Sequence, residues 1–367
     1  MGDFQHPFQS PRNLDKEATL LLNQATTLLK TIQITPKAAL DFIRTWPHPH
    51  NLFAAWFTIP DLHLPELVRL SALALAATTS AQRTALHTLF TLLLKACMFP
   101  PPTPPARLEE FRPAVRERMF ATQVLLRDRG RDQLTGRLSH ELSTLQAENP
   151  RLFSRFDDLP TQLDPAEMMY TRCANILRFS CEGWNESKET ARHQQRQAWK
   201  MLEFVFPNIF RFFPISDINT TRNGLTLNLT LAGYFTSFDI GFAHISGDTY
   251  ELLVFDTSLN LAPPIVPAVD NDGNTRVTFR YAEGTREGEK VWRELMRLHL
   301  VLCRLVHSEG VEEVVGADED AGVWERECER VRNVGDGKGW MERHVQWLEV
   351  RLEELANSRV EGEVEEE

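Results

Sequence analysis

Three carboxylates, Asp239, Glu251 and Asp256, fall where apolar and polar residues alternate, on or at the end of two successive strands. Carboxylates on adjacent strands can hold Mg²⁺ and direct phosphodiester chemistry. Metal-dependent nuclease sites of that general kind place a lysine two residues after the second acid. Here that position is Leu253, and no lysine lies between Lys200 and Lys290. Solvent-facing side chains account for the three acids without chemistry. His244, near the end of the strand that holds Asp239, could act as a general base towards Ser237 or Ser246. No GxSxG elbow accompanies them, so the pairing carries little weight.

His299, Cys303 and His307 stand at i, i+4 and i+8 of one apolar helix. Imidazole and thiolate one turn apart leave the same face and can share a zinc ion. Three ligands in a straight line cannot close a tetrahedron, and no second pair complements them. The reading preferred here is a buried thiol between two histidines, with no metal and no cofactor. Gly335-Asp336-Gly337-Lys338-Gly339 has neither the preceding apolar strand nor the Ser or Thr of a phosphate loop.

Two further patterns concern partners. Pro102-Thr103-Pro104-Pro105-Ala106-Arg107 fits PxxPx(K/R), so Pro102, Pro105 and Arg107 would meet an aromatic groove as a preformed polyproline helix. Arg107, Arg112, Arg116, Arg118, Arg127, Arg129, Arg131 and Arg137 make the following block basic. Glu109, Glu110, Glu117, Asp128 and Asp132 share the segment and can pair at helical spacing, so a solvated face is expected.

The elements that must position these residues follow from periodicity. Residues 14–33 carry Leu21, Ala25, Leu28, Leu29 and Ile32 on one stripe; Thr35-Pro36 opens a helix to about Trp46; apolar helices follow near 64–78 and 80–98. PPPTPP at 100–105 stops the bundle. A second helical block covers about 106–135, extending less clearly to 155. Asp164-Pro165 with Glu167 signals a helix through Met168, Cys173, Ile176 and Leu177 to Gly183. Another helix spans about 187–206.

At residue 224 the period changes to two. Leu225, Leu227, Leu229 and Leu231 predict a half-buried strand; a second strand covers about 234–245 with Phe238, Ile240 and Phe242 on one face; a third spans Thr249–Phe255. Asp272-Gly273 turns into Val277, Phe279 and Tyr281. Short turns between successive strands imply an antiparallel sheet, with a helix of 285–308 across one face. Met341, Val345, Leu348, Leu352 and Leu355 take heptad spacing before the acidic EGEVEEE end.

The expected fold is therefore α+β and predominantly helical: an N-terminal helical bundle, then a small antiparallel sheet covered by a helix, then an acidic C-terminal tail. The expected regions are 1–99 (helical), 100–105 (proline-rich linker), 106–310 (helices and sheet) and 311–367 (acidic tail with a short helix). The net charge of −11 belongs wholly to that tail. Residues 1–310 hold 33 acids and 33 bases; residues 311–367 hold 18 and 7. A neutral body argues against nucleic-acid binding.

The N-terminus lacks the apolar core of a signal peptide, and His6 stands where a myristoylation signal needs Ser or Thr. The apolar runs Leu67–Ala77 and Ala85–Phe99 are too short to cross a bilayer, so no membrane insertion is expected. A cytoplasmic or nuclear location follows. With no complete catalytic constellation, the expectation is an intracellular interaction or scaffold protein, meeting other proteins through the proline-rich linker or the C-terminal helix. The alternative is an enzyme of hydrolase or phosphodiester type, with its site between the sheet and helix 285–308.

Five cysteines (Cys97, Cys173, Cys181, Cys303 and Cys328) form an odd set with no CxxC pair. All five are expected to react with a thiol reagent in denaturant without prior reduction. A mass showing two protected thiols would contradict this.

Overall fold

The computed structural model describes residues 11–31, 33–46, 51–98, 120–148, 150–154, 156, 159, 163–177, 199–213, 217–256, 259, 261, 275–308 and 311. The chain divides into two units, Met1–Asp318 and Glu319–Glu367, and every described residue belongs to the first. The proline-rich segment with Pro102, Pro105 and Arg107, the Asp272-Gly273 turn and the heptad 341–355 lie outside the described residues.

The chain is α+β and predominantly helical. It opens with α1 (Pro11–Thr31), α2 (Pro36–Ile43), α3 (Asn51–Trp56), α4 (Leu64–Ala76) and α5 (Ser80–Met98). The start of α2 is the one the sequence announces: Thr35 Oγ1 accepts from the Ala38 N–H at 3.3 Å, and Pro36 takes the first position. Phe53 and Trp56 of α3 meet Phe90 of α5 edge-on at 4.9 and 5.3 Å. Trp56 also reaches Phe206, at 6.2 Å.

Residues 120–127 are helical (α6), followed by β1 (Leu138–Ser139), α7 (Glu141–Glu148) and α8 (Pro150–Phe153). The capped helix expected after Asp164 is not formed. Asp164 caps a single 3₁₀ turn, Pro165–Glu167, and the chain then extends as β2 (Met168–Met169) and β3 (Thr171–Asn175). The cap satisfies only the first turn. Beyond it, residues 171–175 find backbone partners in β4 (Gly224–Asn228), an antiparallel pairing with Cys173 opposite Thr226. A local helix signal loses to a complete ladder.

After α9 (199–205) and α10 (Pro207–Phe212), β4 replaces the first half of the strand expected over 225–231. The strand stops at Asn228, whose Oδ1 accepts from the Leu231 N–H at 3.0 Å and caps α11 (Leu229–Thr236). β4 is also buried on both faces, Thr226 and Asn228 included. The second expected strand begins late, at Ile240. Phe238 lies in a turn with φ +66° and turns its ring into the core, against His299 at 4.8 Å. Left-handed backbone at a bulky residue is strained, and ring burial offsets the cost.

β5 (Ile240–Ser246), β6 (Thr249–Val254) and β7 (Thr275–Thr278) form an antiparallel sheet in that order. α12 (Arg293–Val306), shorter than the predicted 285–308, lies on it and is buried nearly all round. Its closest approach is at Gly241, where a Cβ would stand 3.1 Å from Leu300 Cδ1 and 3.2 Å from Cys303 Sγ. One continuous core joins α1–α5 to β4, the three-stranded sheet and α12. A smaller cluster, built on Leu125, Leu138, Leu142, Phe156 and Met168, sits beneath α7 and β2. Ion pairs from α12 reach the chain ahead of and within α4: Arg297 to Glu66 at 2.6 Å, and Arg304 to Asp61.

Two substitutions test this packing. Leu227→Ala removes a fully buried side chain from β4 and should cost about 2–5 kcal/mol. Gly241→Ala should cost about 1–3 kcal/mol by forcing β5 away from α12. Denaturant unfolding measures both; changes below about 0.5 kcal/mol would contradict the packing described.

Candidate functional site

The acids and histidines singled out in the sequence lie along β5, β6 and α12 and at their ends. Glu251 lies mid-strand in β6, in register with Ala243 on one side and Arg276 on the other, away from the buried faces of Tyr250 and Leu252. Asp256 lies two residues beyond β6, half-buried, where its carbonyl accepts from the Leu259 N–H. His244 turns Nε2 to the Gly247 carbonyl at 3.0 Å and packs edge-on against Tyr250. Among the described residues no group of three or more His, Cys, Asp or Glu side chains is placed to hold a metal.

His299 and Cys303 are core groups. The imidazole stacks on Phe235 with ring centroids 3.8 Å apart, and Nε2 lies 2.9 Å from the Phe235 carbonyl oxygen. A carbonyl can only accept, so Nε2 carries the proton and Nδ1 is bare. Nδ1 then faces Cys303 Sγ at 3.4 Å, which also approaches the Ile240 carbonyl at 3.4 Å. Burial lowers the His299 pKa to about 3 and pushes the Cys303 thiol well up. The pair is neutral imidazole and thiol, enclosed in the core.

Asp239 and His307 do meet, between the start of β5 and the end of α12. His307 Nε2 stands 3.6 Å from Asp239 Oδ1, too long for a hydrogen bond. Ser237 donates to Asp239 Oδ2 and lies near the Gly233 and Tyr234 carbonyls. The carboxylate thus lies between hydroxyl and imidazole. Nucleophilic catalysis needs the imidazole in the middle, receiving the serine proton.

A different set of residues, not singled out as a site in the sequence, builds a polar surface over a buried hydrogen-bonded layer. The Arg127 side chain is buried, its Nε 2.7 Å from Asp128 Oδ1, with Nη2 donating to the Gly224 carbonyl at 2.7 Å and Nη1 to Thr221. Asp128 Oδ2 accepts from the Thr226 N–H at 2.8 Å. Asp132 Oδ1 accepts from the Asn228 N–H at 2.9 Å, and its Oδ2 from both the N–H and hydroxyl of Thr135. Gln133 completes the row, its N–H donating to the Thr226 carbonyl and its amide exchanging two 2.8 Å bonds with the Arg280 backbone. Burial pushes both carboxyls upward, against these donors and, at Asp128, against Arg127.

Above this buried layer the turn 131–138 forms the wall of a cleft of about 320 Å³, lined by Arg131, Thr135, Gly136, Arg137, Ala166 and Glu167. Arg137 is spent on the fold, donating to the Ala166 carbonyl at 2.7 Å and reaching those of Glu167 and Met168. Arg131 Nη1 donates to the Gly136 carbonyl at 2.9 Å. Gly136 has φ +71°, and a Cβ there would stand 3.8 Å from Arg280 Nη1. Burial, Arg129 and Arg280 all lower the Arg131 pKa, and only Glu167 opposes them.

Sequence spacing had given these arginines acidic partners along a helix. The helix ends at 127, so Asp128 and Asp132 turn inward to backbone N–H groups, and Arg131 bonds the Gly136 carbonyl instead of either acid. Arg280, distant in sequence, carried no signal at all.

The fold defines a helical α+β protein with a short mixed set of sheets. Comparison of the chain with protein-family models, curated proteins and solved structures gives no match.

The His299 environment predicts a pH dependence. Its folded pKa is depressed from 6.5 to about 3, so across that window the unfolded chain binds a proton that the folded chain refuses. Stability from this residue is present above pH 6.5 and lost as pH falls, by at most about 1.4 kcal/mol per unit. His299→Gln should flatten the difference in unfolding free energy between pH 7 and pH 5. Parallel curves for the two proteins would contradict a buried neutral imidazole.

Proposed function

We propose that this chain is a non-catalytic interaction or scaffold protein that recognises other proteins. The observation that carries this reading is where the polar chemistry lies. His244, Asp239, His299 and Cys303 spend ring nitrogens, carboxylate or thiol on backbone carbonyls or near neighbours, whereas guanidinium groups border an open cleft. Arginine forks are recognition groups for carboxylate and phosphate. The proline-rich segment and the C-terminal heptad offer further docking routes. The free thiols Cys173 and Cys303 suit a reducing cytoplasm or nucleus. No helix among the described residues is long and apolar enough to cross a membrane.

One observation favours the second reading, an enzyme. Asp239 and His307 come together between the sheet and α12, beside Ser237 and under Phe255, which stacks on His307 at 5.8 Å. A hydrolase would need this imidazole to swing into line with the hydroxyl.

Affinity capture with mass spectrometry separates the two, using the full chain and a variant ending at Asp318. The cut must fall beyond Val311, which is fully buried in the body's core. Saturable, reciprocal capture of defined proteins is expected. If nothing is captured, and Asp239→Asn stabilises the fold by more than about 1 kcal/mol, the interaction reading fails. Relief of that size marks a charge held for function rather than for folding.

A further inference from the structure

The cleft over Gly136 gathers positive charge that the fold itself does not use. Arg127 and Arg137 have structural work, bonded to the carbonyls of 221 and 224 and of 166–168 respectively. Arg131 is different. It is half-buried and tethered by one bond, to the Gly136 carbonyl, so it cannot swing far from its like-charged neighbours. Arg280 approaches from the chain after β7, held at its backbone by the two Gln133 bonds, while its guanidinium stands beside Gly136. Among the described residues that guanidinium has no ion-pair partner.

Surface arginines ordinarily spread apart or find carboxylates. Here Asp128 and Asp132, the acids of the same segment, are buried and already hold Arg127, Thr135 and the β4 backbone. Only Glu167 faces the cleft, and it is exposed. An anion entering between Arg131 and Arg280 would relieve their repulsion and meet free donors from both forks. The absence of a side chain at Gly136 leaves room for it to approach the turn.

Resting on the interaction reading above, we propose that this cleft binds a phosphoryl dianion carried on a partner protein, gripped by Arg131 and Arg280. A phosphoryl group supplies three acceptor oxygens and close to two negative charges, against one charge for a carboxylate. The surroundings suit a peptide-borne group. The β1–β2 pair leads from the cleft to Tyr170, 39% exposed and stacked on His140 at 4.4 Å. That aromatic plate lies about 7 Å along the strands, at roughly 3.3 Å per residue, within reach of the residues flanking a modified side chain.

The test titrates the full chain with a fluorescent, degenerate peptide pool bearing a fixed phosphoserine, with the same pool bearing serine, and with inorganic phosphate as competitor. The phosphorylated pool should bind at least 10-fold more tightly than its twin and be displaced by inorganic phosphate. Arg280→Ala should weaken it by at least 10-fold with an unchanged melting temperature, since that side chain holds nothing in the fold. Arg131→Ala should weaken it as much, and Glu167→Gln should tighten it by removing the rim charge.

Equal binding of the two pools, or a phosphorylated pool indifferent to Arg280→Ala, would overturn the proposal. Calorimetric binding of inorganic phosphate that Arg280→Ala abolishes, with neither pool bound, would overturn the protein-borne source. Partner capture that survives both Arg280→Ala and phosphatase treatment, with no binding of the phosphorylated pool, would remove this inference and leave the interaction reading standing.

Discussion

Two buried carboxylates hold the edge of β4 that no strand pairs. Strand β4 pairs with β3 on one side only; on the other, its Thr226 and Asn228 N–H groups would face the interior unpaired. Asp128 and Asp132 accept them, and the Gln133 N–H returns a bond to the Thr226 carbonyl, so a turn serves where a third strand would. Bonds to charged acceptors contribute about 1.5–3 kcal/mol each, and an orphaned buried N–H costs about 1–3 kcal/mol. Both carboxylates are fully buried and pushed toward protonation, which shows what the arrangement costs. Arg127 offsets part of that cost at Asp128, and in doing so fixes the chain at 221–224 and lies 5.4 Å from the Tyr281 ring.

Everything around the cleft depends on this edge. The strand is seated closely enough that Gly224 has no space for a side chain; a Cβ there would stand 2.7 Å from Phe120 Cζ and 2.8 Å from Val124 Cγ2 of α6. Asn228 ends the strand and starts α11 in one residue, turning Leu231 and Phe235 inward, where Phe235 receives His299 of α12. The same turn, folded back on the buried carboxylates, presents Arg131 outward and pins Arg280 through Gln133. Buried charge below and exposed charge above are two sides of one ten-residue segment.

α12 is the second organiser. Its apolar residues are buried round the whole circumference, because the sheet takes one side and the aromatic layer and N-terminal helices approach the other. Arg297 and Arg304 then reach Glu66 and Asp61, and Arg297 also donates to the Asp61 carbonyl at 3.0 Å, tying the bundle to the sheet with partly buried charge pairs. His299 and Cys303 turn their polar atoms to the carbonyls of Phe235 and Ile240, so neither buried group is left without a partner.

Elements whose cause is local were legible in the sequence. α2 follows from Thr35-Pro36, α4 and α5 from apolar runs, and β6 from a short turn before an apolar-rich stretch, since each needs only neighbours a few residues away. The α+β class and the antiparallel sheet follow from those periods. What the tertiary structure decided lies where distant groups compete for one backbone. Asp164 reads as a helix cap and caps a single turn, because β4 claims the next N–H groups; Leu229 and Leu231 continue a strand pattern, but the Asn228 side chain takes the Leu231 N–H first. The arginine cleft was illegible for the same reason. The acids beneath it pair with strand backbone almost a hundred residues away, and the guanidinium that stands beside Gly136 comes from residue 280, so no spacing along the chain could reveal a charge balance that only folding sets.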